Sequence, residues 1–219
     1  MREFLVKTFD REEYALRFLH NGEMKFSHIV SFQNIEDCEI RGDKTEGLAI
    51  ETINTDIGPN VTKFNLGNPN GGKQYVVDWK AIKQHFPEMA NNPGKFQFRI
   101  EYQVDWLIYC LTYINSTTPD VNKILNKCTS FGEYSTVICD CKDFLFKVNN
   151  SIPDCCQGFV KYSNEGMKHP FIKPLDYSWQ QEYRIAIPAS NIKERFFHIG
   201  KLVGFVCKTK SLHMLKQML

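Results

Sequence analysis

The run from residue 96 to 113, FQFRIEYQVDWLIYCLTY, limits what this chain can fold into more than any other stretch. It is dense in aromatic and β-branched side chains and contains neither Gly nor Pro. Such residues fit a pleated, buried surface, so the run predicts one long strand or a broken pair of strands at the centre of a sheet. Shorter β-type runs surround it at 4–9, 24–30, 48–54, 61–66, 74–78, 134–139, 158–162, 182–187 and 203–207. Asn68-Pro69-Asn70-Gly71-Gly72 reads as the turn of a hairpin between two of them.

Helices punctuate this series. Asp10 and Glu13 have the spacing of a capping box and open a helix carrying Tyr14, Leu16 and Phe18, which Asn21-Gly22 closes. Thr118-Pro119 predicts a second helix through Val121, Ile124 and Leu125, and Asp140 caps a third through Phe144, Leu145 and Val148. The order lacks the regular strand-helix alternation of a doubly wound sheet. The expected class is therefore α+β, a mixed or antiparallel sheet pair with helices at its edges. A chain of 219 residues, 42% of them apolar, suits one core, so a single domain over 1–219 is expected, with at most a small appendage.

Charge and cysteine usage narrow the function classes. Lys plus Arg number 27 against 25 Asp plus Glu, a net charge of +2, so any contact with nucleic acid must be local. The first ten residues alternate charged and apolar types, unlike a signal peptide, and no run approaches the about 18 apolar residues that span a bilayer. These features predict a cytoplasmic protein whose eight Cys are reduced thiols. Cys139-x-Cys141 and Cys155-Cys156 have the wrong spacing for a zinc site, so no metal is expected. Gly67 to Lys73 ends in Gly-Lys, but Gln74 stands where a phosphate loop needs Ser or Thr. The six His show no i, i+4 pairing.

Two segments remain. Residues 35–47 place five acidic groups around Arg41, either as a solvated charged loop or as a loop fixed over a ligand. Residues 173–185 enter a strand whose period of two puts Gln180, Glu182 and Arg184 on one face and Gln181, Tyr183 and Ile185 on the other. An amide, a carboxylate and a guanidinium in line form either a cross-strand salt bridge or a site.

At these residues the chain resembles the ADP-ribosyltransferase superfamily, in particular its compact bacterial toxins of toxin-antitoxin and phage-defence systems. The likeness is carried by the opening strand and helix ending in Asn21-Gly22, the strand at 24–30, and Gln180-x-Glu182. The chain is also similar to a family of uncharacterised bacterial proteins, through Arg41-Gly42-Asp43-x-x-Glu46-Gly47 and a late Lys followed by Glu182-x-Arg184. Where the superfamily has Arg or His on its first strand this chain has Lys7 and Thr8, and Lys25-Phe26-Ser27 stands in for its Ser-bearing second strand.

The resemblance implies a split sheet and transfer of ADP-ribose from NAD, without a metal, to a macromolecular acceptor, with nucleic acid such as messenger RNA favoured over protein. It implies Glu182 as the catalytic carboxylate and Gln180 as the group that positions the acceptor. It further implies Lys7 or Arg41 on the pyrophosphate, Phe32 over the nicotinamide, Thr8 and Ser27 in the NAD site, and Asp43 and Glu46 ordering the loop beside it. A neutralising antitoxin protein is the implied partner. The alternatives are a metal-independent ribonuclease toxin and a non-enzymatic interaction module. Changing Glu182 to Gln is expected to lower transfer by at least about a hundredfold and barely affect folding.

Overall fold

Three consecutive buried residues in one strand reveal the layering. The computed structural model describes residues 2–34, 48–57, 63–66, 75–78, 84, 94–103, 105–163, 170–189 and 192–219. Strand β1 (Glu3–Phe9) buries Phe4, Leu5 and Val6 in succession. Neighbouring side chains of a strand point to opposite faces, so a core lies on each side of it. Leu5 packs with Phe18, Tyr109, Ile138 and Phe144 on one face, while Phe4 and Val6 pack with Ile114, Ile124, Leu125 and Leu212 on the other.

The chain continues through α1 (Glu12–Asn21), β2 (Glu23–His28), a 3₁₀ turn (Ile29–Asn34), β3 (Leu48–Ile57), β4 (Lys63–Leu66), β5 (Tyr75–Asp78) and β6 (Gly94–Gln103). It then forms β7 (Trp106–Asn115), α2 (Val121–Cys128), β8 (Tyr134–Ile138), α3 (Cys141–Ser151), β9 (Cys156–Phe159), β10 (Lys161–Tyr162) and β11 (Ile172–Lys173). A 3₁₀ turn (Leu175–Gln180) precedes β12 (Glu182–Pro188), β13 (Glu194–His198) and β14 (Gly204–Lys208), and a last 3₁₀ turn (Thr209–Met214) runs into α4 (Leu215–Met218). The class is mixed α+β with a mostly antiparallel sheet.

The chain packs as two compact units, residues 1–48 with 103–219, and residues 49–102. The second unit pairs β3 with β6, and β4 with β5 in antiparallel register. The first is built on an eight-stranded sheet ordered β13-β2-β7-β1-β8-β14, with β12 and then β9 beside β7. Its strand pairs are antiparallel.

Strand β7 is shared by three partners. β12 pairs with it from Trp106 to Thr112. Three of its residues pair at once with β12 and with a second strand, Leu107 and Ile108 with β2 and Thr112 with β1, so β2 and β1 share the opposite edge. β2 takes Leu107 and Ile108, β1 takes residues 112–115, and residues 109–111 face a break between them.

The helices cover the faces of the sheet, where edge positions were expected. The reason is that β1 and β7 are apolar on both faces and need cover on each: α1 and α3 bury Phe18, Phe144 and Val148 on one, and α2 buries Ile124 and Leu125 on the other. The capping box of Asp10 and Glu13 does not form. The N-cap is Arg11, whose side chain offers no acceptor, and the helix begins one residue later than a box on Asp10 requires. Gly22 closes α1 in the left-handed region (φ 61°), donating its amide to Phe18 O at 2.9 Å. A Cβ there would lie 2.5 Å from the Gly200 carbonyl oxygen, so the position admits only glycine without displacement.

The strand expected at 24–30 ends at His28, whose Nδ1 accepts from the Val30 amide at 3.2 Å and turns the chain into the 3₁₀ segment. The aromatic run at 96–113 is a broken pair, β6 and β7, in two different sheets. Asp140 caps α3 as expected, accepting from the Asp143 amide at 2.9 Å. Among the described residues no helix is long and apolar enough to cross a membrane.

Candidate functional site

Residues 108, 110, 112 and 114 of β7 share one face. Ile108 joins Ile29 and Ala186 in a small apolar cluster, Ile114 belongs to the core under α2, and polar groups fill the interval. A cavity of about 240 Å³ opens there. Val6, Lys7 and Thr8 of β1 and Cys110, Leu111 and Thr112 of β7 form one part of its wall. Phe32, Phe131, Lys173, Gln180 and Glu182 form the rest.

Glu182 is the first residue of β12, opposite Thr112. It is 5% exposed, and its carboxylate accepts from Arg184 Nε on Oε1 at 2.7 Å and from Lys173 Nζ on Oε2 at 2.9 Å. Burial alone would push its carboxyl up; the Arg184 guanidinium and Lys173 ammonium, with the hydrogen bond from Arg184, outweigh burial and hold it well below the usual carboxylate range. Arg184 is itself 1% exposed and also donates to the Pro170 carbonyl, which ties β12 to the segment leading into β11. Lys173 Nζ donates in addition to Gln180 Oε1 at 2.9 Å, and the Glu182 amide donates to the Tyr162 hydroxyl at 2.9 Å.

Lys7 stands at the break in the sheet. Its Nζ donates to the Cys110 carbonyl at 3.0 Å, a group that β1 or β2 would face if either strand continued along β7, and lies 4.5 Å from the centroid of the Tyr109 ring. Loss of water around the ammonium pushes its pKa down, against the pull of the Glu182 carboxylate. The Cys110 thiol is pushed up to about 12, first by burial and then by the Glu182 carboxylate, so it stays protonated at neutral pH.

Phe131 follows α2 and is braced from behind. It stacks on Trp179 with ring centroids 5.7 Å apart and planes 8° from parallel, and Lys127 Nζ lies 4.3 Å from the Trp179 centroid. The stack pins the 175–180 turn to the end of α2.

The structure thus gathers Lys7, Thr8, Phe32, Gln180 and Glu182 around one cavity. Ser27 is elsewhere, on β2 between Ile108 and Glu194 in the pairing register. Arg41, Asp43 and Glu46 lie outside the described residues. Gln180 is not on the strand, because Gln181 adopts φ 44° and breaks the backbone between the 3₁₀ turn and β12; the buried Gln180 side chain reaches the cavity from that turn. Glu182 and Arg184 are paired with each other as an ion pair on β12, and both are buried, as are residues 182–187 throughout. With Glu182 enclosed between two buried cations, its charge bears on folding, contrary to the expected indifference of the fold to Glu182→Gln.

Lys173, Cys110 and Phe131 escaped the sequence reading. Lys173 carries the one usable signal, as the Lys that opens the charged segment ending in Glu182-x-Arg184. Cys110 sits inside an apolar strand run and Phe131 in a turn, with nothing local to mark either. No family model, no curated protein and no solved structure matches this chain.

Proposed function

We propose that the cavity at the break of the sheet binds NAD and that the protein is an ADP-ribosyltransferase-like enzyme passing ADP-ribose to a macromolecular acceptor. The observation that carries this reading is the convergence of an ionised, fixed carboxylate with an ammonium, hydroxyls and aromatic rings on one cavity wall: Glu182, Lys7, Thr8, Thr112, Phe32 and Phe131. A cavity of about 240 Å³ is below the roughly 300–1,000 Å³ of a drug-sized ligand site, which suits one nucleoside end of a dinucleotide.

In such a transfer the bond between the nicotinamide nitrogen and ribose C1′ breaks, and its electron pair leaves with the nitrogen, which becomes neutral. The oxocarbenium left at C1′ then takes a lone pair from the acceptor. Glu182 is too weak a base to collect the acceptor's proton, which passes to solvent; its part is electrostatic, a negative charge held in place as positive charge develops on the sugar. Lys7 supplies the opposite charge for a phosphate. Gln180, fixed by Lys173, borders the same space and supports the role of positioning the acceptor.

The test is release of nicotinamide from NAD by the purified protein, followed by a mass-spectrometric search for the ADP-ribose adduct in protein, DNA and RNA fractions. Absence of both nicotinamide release and NAD binding refutes the reading. Shortening of RNA without NAD would instead support a ribonuclease. A cytoplasmic location and a neutralising antitoxin belong to the same proposal, and unaffected growth of cells making soluble protein would count against the antitoxin.

A further inference from the structure

We propose that Cys110 is a positioning residue that holds the two opposite charges of the cavity in register, its thiol on the Glu182 carboxylate and its carbonyl on the Lys7 ammonium. The inference rests on the transferase reading and adds to it a residue that acts through Glu182.

The geometry comes from the sheet. Cys110 pairs with Arg184 across β7 and β12, and Glu182 pairs with Thr112, so Cys110 and Glu182 are diagonal neighbours on one face. Arg184 and Lys173 each hold one carboxylate oxygen, and the Cys110 side chain borders the same cavity on the diagonal from Glu182. Unlike Arg184, Cys110 belongs to the cavity wall. Its carbonyl lies where β7 has lost its strand partner and receives Lys7 Nζ at 3.0 Å. One residue of the central strand therefore lies beside both charged groups that a nucleotide would meet, in contact with Lys7 and diagonal to Glu182.

The thiol is suited to this place because it is a weak, neutral donor. It limits the rotation of the carboxylate without adding charge, and it yields readily to a stronger donor such as a sugar hydroxyl. A serine hydroxyl preserves the donor on a shorter arm, and alanine removes it.

Two measurements test the proposal. The first needs no NAD: peptide-resolved alkylation of Cys110 by iodoacetamide at alkaline pH, in wild type and in Glu182→Gln, with the buried Cys128 as an internal gauge of unfolding. Removing the carboxylate removes both the acceptor and the charge that opposes thiolate formation, so Cys110 should react at least about tenfold faster while Cys128 stays protected. A Cys110 rate within twofold of wild type, with Cys128 protected, overturns the contact. Should Glu182→Gln not fold, Glu182→Gln with Lys173→Met is measured in its place, against the same expectation.

The second measurement is turnover. Cys110→Ala should lower kcat for nicotinamide release about tenfold with KM for NAD within twofold, and Cys110→Ser should recover most of the loss. An unchanged kcat in Cys110→Ala overturns the positioning role, as does an equal loss in Ala and Ser variants that melt like wild type. Wild-type protein that releases no nicotinamide refutes the transferase reading on which this rests, whereas the alkylation ratio still decides whether Cys110 and Glu182 are joined.

Discussion

Replacing Glu182 with Gln changes no volume and removes one charge, yet its surroundings make it costly. Lys173 and Arg184 are 5% and 1% exposed, and each gives a hydrogen bond to the carboxylate. Removing one partner of a buried ionic cluster typically costs about 3–5 kcal/mol, since the remaining charges lose their compensation away from water. The amide oxygen of Gln keeps one acceptor, which places the expected loss near the lower end, about 3 kcal/mol. At about 2–4 °C per kcal/mol for a chain of this size, the melting temperature should fall by roughly 6–12 °C. Adding Lys173→Met should recover part of the loss, because one of the two buried cations that give hydrogen bonds to the carboxylate goes with it. Differential scanning calorimetry of the wild type, both single variants and the double variant closes the cycle. A Glu182→Gln protein that melts with wild type, or a double variant no more stable than the sum of its parts predicts, would show that the charge on Glu182 is not held by these partners.

The same carboxylate sets an acid dependence. Its folded pKa is depressed, so its contribution is whole above the unfolded carboxyl value of about 4.3 and is lost as pH falls below it, with a slope of about 1.4 kcal/mol per pH unit for one proton. Urea titrations from pH 5 down to pH 3 should show one proton fewer in the slope for Glu182→Gln than for wild type. Among the described residues the buried Tyr109 hydroxyl has no hydrogen-bond partner, so Tyr109→Phe should leave stability unchanged or raise it by up to about 1 kcal/mol, and a clear loss in chemical denaturation would reveal a partner for that hydroxyl. Gly22→Ala should destabilise by more than about 1 kcal/mol, since φ 61° and the Gly200 carbonyl both oppose a Cβ; a variant as stable as wild type would mean that the turn relaxes freely. If Lys7 meets a phosphate, Lys7→Met should raise the Kd for NAD about tenfold, or about 1.4 kcal/mol, and unchanged affinity by calorimetry would remove Lys7 from the site.

What the sequence discloses about this chain follows from how local each determinant is. Period-two spacing joins Glu182 and Arg184 on one face, and that relation is visible within three residues. The α+β class follows equally from runs of strand-forming residues punctuated by Gly22 and the Asp140 cap. Lys173 reaches Glu182 only because a 3₁₀ turn and a left-handed Gln181 double the chain back, a path that no spacing rule encodes. Cys110 gains its place from β1 and β2 stopping short of each other, which depends on pairings between strands far apart in the chain. Strand β13, with four of its five residues exposed, carries no core pattern to reveal it.

The break beside β7 has one consequence for how such a site persists. Where two strands stop short, the third presents peptide groups that every amino acid other than proline supplies alike. The carbonyl of residue 110 would receive the ammonium of Lys7 whatever side chain stood there. Half of the charge-holding apparatus is thus written in the strand lengths, and drift in the letters at 109–111 would leave it standing. A change in the reach of β1 or β2 by two residues would erase it while every side chain in the cavity stayed the same.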